Sequence, residues 1–194
     1  FSIREVGQNW TLGTGWSIAE DKAIQDGTGS GSSLQQSNIL VVGKTYKITY
    51  EILERAQGSI QVFAGFPNSN VPSNNTIGVH THYIKAEGNT NFYLLPSNFI
   101  GSITNISVKE VGQNWTFDAN WSIGNNKAIS TGVGRMFQSI PFLEANVGTK
   151  VKVSFDIVDY TSAGVVINCY GGISSFFQGV GSYSFITTTT NTLN

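Results

Sequence analysis

His80 and His82 stand two residues apart in "VHTHYI", a spacing that puts both imidazoles on one face of a strand. Two imidazoles can begin a zinc site, but zinc takes three or four ligands. The only cysteine, Cys169, lies far away in the chain, so the pair reads as two strand histidines. The carboxylates do not suggest a hydrolase. Cleaving a glycoside needs two carboxyls flanking one bond, one of them with a raised pKa. Glu51 and Asp156 sit at matching places in two alternating segments, on the polar side beside Lys47 and Lys152. That pattern makes them solvated cross-strand charges. "GKT" at 43–45 is not a phosphate loop: Asn38 stands where the motif requires its first Gly, and a strand pattern follows where a helix should begin. No G-x-S-x-G and no H-E-x-x-H occurs. The expectation is a protein that catalyses nothing.

Aromatic side chains are the remaining candidates. Trp10, Trp16, Trp115 and Trp121 could form a sugar-stacking platform, yet each recurs beside framework residues and reads as core packing. Aromatics and imidazoles outside that framework are better candidates for ligand recognition: Phe66, His80, His82, Tyr170, Phe176 and Phe177. The sequons at Asn9, Asn74, Asn105, Asn114 and Asn120 arise from the abundance of Asn, Ser and Thr, and three of them abut framework residues.

The elements that would position these residues come in two copies. "EVGQNWT" occurs at 5–11 and at 110–116, and "NWTLGTGWSIAEDKAI" at 9–24 matches "NWTFDANWSIGNNKAI" at 114–129 without a gap. "GKTYKITYEIL" at 43–53 matches "GTKVKVSFDIV" at 148–158, and "FSIREV" at 1–6 matches "ISVKEV" at 106–111. A period of 105 residues is too long for a solenoid unit, so each copy should be a small domain. The expected organisation is the last strand of a preceding repeat at 1–6, a first repeat at 7–111 and an incomplete second repeat at 112–194. The second copy has no counterpart of "FYLLPSNFIGSITNISVKE". Either the missing strands belong to a longer tandem array, or a neighbouring chain donates a strand and builds a homo-oligomer or filament.

Strand signals are strong. Tyr46, Ile48, Tyr50 and Ile52 alternate with Lys47, Thr49 and Glu51; Val151, Val153, Phe155 and Ile157 alternate with Lys152, Ser154 and Asp156. "SIQVFA" at 59–64, "THYIKA" at 81–86, "VVINCY" at 165–170 and "YSFITT" at 183–188 also read as strands, and "SITNISV" at 102–108 does so less cleanly. Around 59–64 the copies align at an offset of either 105 or 106, which leaves inward and outward side chains unassigned. No helical period is sustained. With 22 Gly and 12% charged residues, the expectation is an all-β chain of short strands and tight turns, about eight strands per copy. A net charge of −1 without a basic cluster argues against a nucleic-acid partner. No apolar run is long enough to insert across a bilayer as a helix. A single cysteine forbids an internal disulfide and leaves the redox compartment open.

The patterns W-x5-W-S-I-x3-K-A, G-K-x-Y-K-[IV]-[TS]-[YF] and G-S-I-x-N-[IV]-S-V-K-E-V resemble tandem jelly-roll modules of bacteriophage structural and tail-fibre proteins. Those modules are similar to β-sandwich carbohydrate-binding modules. The resemblance implies two tandem jelly-roll sandwiches, the second lacking its last strands. It also implies a non-enzymatic fibre or decoration protein, at a virion surface or otherwise extracellular. Its partners would be other virion or filament subunits and cell-surface glycans. The competing reading is a carbohydrate-binding pair from a larger secreted enzyme. No cofactor is implied except a structural calcium on loop oxygens, for which Glu20, Asp21, Asp26 and Asp118 are the candidates.

Overall fold

The structure is a computed structural model that describes residues 9–66, 71–141, 143, 146–173 and 176–190. The strands are β1 (Thr11–Leu12), β2 (Trp16–Ala19), β3 (Lys22–Gln25), β4 (Leu34–Gln36), β5 (Thr45–Ala64), β6 (Gly78–Lys85), β7 (Phe92–Val111), β8 (Thr116–Phe117), β9 (Trp121–Gly124), β10 (Lys127–Ser130), β11 (Met136–Phe137), β12 (Lys150–Ile157), β13 (Asn168–Cys169), β14 (Gly172–Ile173) and β15 (Gly181–Thr188). The protein is all-β. Its described residues form two compact units, 9–113 with 117–135, and 114–116 with 136–190.

The first unit is built on two long antiparallel strands, β5 and β7, paired from Thr45↔Val111 to Ala64↔Phe92. β6 extends the sheet beyond β5. β3 and β4 join the other side of β7, carrying β2 and β1 in turn. Four register shifts interrupt the β5–β7 ladder. Extra residues bend a strand and increase its twist, so both halves of one sheet bury their inner faces in one core. That core takes Tyr46, Ile48, Tyr50 and Ile52 from the first half of β5, and Ile60, Val62 and Ala64 from its second half. Leu34, Phe92, Leu94 and Ile103 are among the residues that join it. At the bend Gly58 has φ 74°, and a Cβ there would lie 2.2 Å from the Asn98 carbonyl.

One register shift explains the uneven alternation of 102–108. Thr49 faces Ser107, but Glu51 faces Thr104, so Asn105 and Ile106 together oppose Tyr50. Asn105 takes φ 52°, a left-handed conformation that Asn tolerates well.

In the second unit β12 and β15 pair along their full length, from Lys150↔Thr188 to Ile157↔Gly181. "VVINCY" at 165–170 departs from expectation. Instead of one strand it forms an isolated bridge at Val165 and the two-residue β13. Its counterpart 59–64 is paired along its whole length with 92–97 of β7, a long ladder that keeps a strand straight. The strands of the β9–β10 hairpin, which belongs to the first unit, pair with each other, and every residue of β10 is exposed. In β3, held by β7, Ala23 and Gln25 are buried.

Candidate functional site

β6 brings His80 and His82 to the same face of the sheet, opposite Tyr50 and Ile48 of β5. Their rings lie 5.4 and 6.0 Å from the Tyr50 ring. Asn74, bridged through its backbone to Ile60, completes the group. Its Nδ2 donates to the Tyr50 hydroxyl at 2.7 Å and to His82 Nε2 at 2.7 Å. His82 Nε2 therefore accepts, and the ring's proton sits on Nδ1. His80 Nε2 lies 2.7 Å from the Thr76 carbonyl, which can only accept, so Nε2 is the donor. Burial pushes the Tyr50 hydroxyl up to about 12. Burial, reinforced by the charge of His80, holds His82 below the usual imidazole value. The cluster is a polar inset at the rim of an otherwise apolar core.

The second unit has a counterpart that sequence alignment alone did not assign. The Ile60↔Asn74 bridge is matched by Val165↔Phe177, which fixes the offset at 105 there and equates Asn74 with Phe177. Pairing on β12 equates His80 with Tyr183 and His82 with Phe185, since Phe155 faces Tyr183 as Tyr50 faces His80. Phe155, Phe177, Tyr183 and Phe185 make four ring contacts, with centroids 5.1 to 5.7 Å apart. One framework thus carries a hydrogen-bonded polar group in one copy and an aromatic cluster in the other.

Phe66 takes part in a different patch. It is 52% exposed and packs against Phe63 at 5.6 Å and Tyr93 at 6.3 Å. The Tyr93 hydroxyl accepts from Asn91 Nδ2 at 3.0 Å and from Asn89 Nδ2 at 3.3 Å. Sequence reasoning missed this trio, although "NTNFY" at 89–93 places Asn89, Asn91 and Tyr93 at period two.

The other candidates separate. Phe176 is exposed, whereas Phe177 belongs to the aromatic cluster. Tyr170 is only 5% exposed and packs in the interior of the second unit, where its hydroxyl accepts from the Ile140 N–H. Trp16 is buried and donates Nε1–H to the Ser32 carbonyl at 2.8 Å, and Trp10 stands edge-on to Phe92 at 6.2 Å. Trp10 also lines a shallow groove of about 220 Å³ with Ile18, Asp21, Lys22 and Asn105.

The calcium candidates are not brought together. Glu20 and Asp21 are the two central residues of the β2–β3 turn, both at positive φ, as are Asn125 and Asn126 between β9 and β10. A two-residue hairpin turn of this kind favours Asn and Asp for their backbone tolerance, so conformation accounts for their presence. Asp26 accepts from the Thr28 hydroxyl at 2.6 Å and its N–H at 2.8 Å, which lowers its pKa. Asp118 pairs with Arg135 Nε at 3.0 Å. Among the described residues no group of three or more His, Cys, Asp or Glu could hold a metal ion. Compared with protein-family models, curated proteins and solved structures, the chain matches none.

Proposed function

We propose that the chain is a non-enzymatic structural and recognition protein. In this reading two jelly-roll repeats in series extend a fibre or decorate a particle, at a virion surface or outside the cell. One observation carries it: the copies share a ladder register on β5 and β12, while the four side chains at one place differ in chemistry. Tyr50, Asn74, His80 and His82 in one copy stand where Phe155, Phe177, Tyr183 and Phe185 stand in the other. A kept scaffold with a varied local surface suits a modular spacer whose repeats can acquire separate contacts.

Phe66, Tyr93 and Asn91 favour a glycan as one such contact. An exposed ring offers an apolar face to a sugar, and neighbouring amides and a hydroxyl offer hydrogen bonds to its hydroxyls. A glycan array probed with the wild type, Phe66→Ala and Tyr93→Phe tests this. The expected result is binding that weakens in both variants. Glycan binding equal in all three would remove the patch from the proposal; no binding by the wild type would leave only the spacer role. A carbohydrate-binding pair from a secreted enzyme shares the glycan contact but predicts no association with a particle.

A further inference from the structure

No stretch of the sequence is basic, yet the ladder of the first unit gathers lysines that lie far apart in it. Lys47 of β5 stands directly opposite Lys109 of β7 on one side and Tyr83 of β6 on the other. Lys85 pairs with Thr45, two residues along the same face. This is the outer face, because Tyr46, Ile48 and Tyr50 alternate with these residues of β5 and are buried. Thr49, Thr81 and Ser107 form the next row. Lys47 Nζ lies 6.0 Å from the Tyr83 ring centroid, and the Tyr83 hydroxyl donates to Asn126 Oδ1 at 3.2 Å, which holds the ring in place. The first carboxylate along β5 on this face is Glu51, and it accepts from Asn105 Nδ2 at 2.9 Å. Glu110 stands opposite Tyr46, on the other face, 3.6 Å from Lys44 Nζ. Like charges directly opposite each other destabilise a sheet. Lysine placed to protect a sheet edge does not account for Lys47, which lies on the middle strand of the three.

We propose that this face binds an acidic polysaccharide. The ammonium groups of Lys47, Lys85 and Lys109 meet carboxylates or sulfates along the polymer, while the Tyr83 ring and the hydroxyls of Thr49, Thr81 and Ser107 meet the sugar between them. Such a polymer intersperses charge with hydroxyl as the face does. A nucleic acid fits less well: its phosphates are closely spaced and are met by many more cations, and the net charge of the chain is −1. An anionic bilayer calls for an apolar face that inserts between the headgroups, whereas these residues are lysines, hydroxyls and one tyrosine. The second copy supplies a contrast. β12 carries Lys152 where β5 carries Lys47, but Ile186 and Thr188 of β15 stand where Tyr83 and Lys85 stand on β6. The Phe66 patch follows the opposite end of β5, and this proposal does not depend on it.

Binding of the 194-residue chain to immobilised dextran sulfate, polygalacturonate and neutral dextran at low ionic strength tests this. The expected result is binding to one or both acidic polymers, weakened by salt, and none to dextran. Lys47→Gln and Lys109→Gln should each weaken it at least about threefold, and Lys47→Gln/Lys85→Gln/Lys109→Gln at least about thirtyfold. Lys150→Gln/Lys152→Gln, which removes two charges from β12 instead, should stay within about twofold of the wild type. Urea unfolding separates binding from folding: Lys109→Gln should be at least as stable as the wild type, because it relieves the repulsion from Lys47. Binding to neither acidic polymer overturns the proposal. So does an equal loss from the β12 variant, or a triple variant that binds as the wild type does. Equal or tighter binding to duplex DNA or to phosphatidylserine vesicles also overturns it, by assigning the face to another class of partner.

Discussion

Removing the Tyr50 hydroxyl tests the polar inset directly. Tyr50→Phe keeps the ring, which is fully buried, and installs the residue type found at Phe155. The hydroxyl accepts one hydrogen bond, from Asn74 Nδ2 at 2.7 Å. Losing a hydrogen bond of this kind costs about 1 kcal/mol, and a part-buried donor left with one proton unsatisfied adds roughly 1 kcal/mol more. Asn74 keeps its bond to His82 at 2.7 Å, which prevents a larger loss. The expected destabilisation is therefore about 1–2 kcal/mol, roughly a fivefold to thirtyfold shift in the unfolding equilibrium. Asn74→Ala alone removes both donations. In Tyr50→Phe/Asn74→Ala no donor is stranded, so the double variant should be less destabilised than the sum of the singles by about 1 kcal/mol. Urea unfolding followed by the fluorescence of Trp10 and Trp16, which lie in the first unit, measures all three. Additivity within about 0.3 kcal/mol would refute the coupling. So would a Tyr50→Phe variant as stable as the wild type.

The lowered pKa of His82 gives a pH dependence with a definite sign. The unfolded chain takes up that proton first, so the contribution is complete above about 6.5 and is lost as pH falls below it towards the folded value. Unfolding midpoints between about pH 5 and 7.5 should show this slope in the wild type, and a flatter one in His82→Phe; identical slopes would remove His82 as its origin. Gly58 and Gly43 both take positive φ, but a Cβ would strike the Asn98 backbone at the first and meet nothing within 4 Å at the second. Gly43→Ala should cost about 1–2 kcal/mol from conformation alone and Gly58→Ala clearly more, measured by the same urea titration. Equal costs would mean that the bend between the halves of β5 yields easily.

The order of residues was enough to establish an all-β chain, because alternation over 45–53 and 150–158 is a local property of each segment. The same holds for the shared face of His80 and His82, which follows from a spacing of two on a strand. The hairpin turns at Glu20-Asp21 and Asn125-Asn126 came only with the structure, since in the sequence Glu20 and Asp21 read as calcium candidates. What Asn74 contacts was not legible, because it reaches Tyr50 across 24 residues and owes its position to a bridge with Ile60. Tyr170 and Phe177 both read as recognition candidates; packing buries the first and assigns the second to the Phe155 cluster. The clearest contrast is between 59–64 and 165–170, two strand-like segments of which the first is strand throughout and the second only at Asn168–Cys169. Their own residues are equivalent in character, but a strand's hydrogen bonds are made to another strand. The tertiary structure supplies 92–97 to one segment, and to the other the bridge at Phe177 and the short pair with β14.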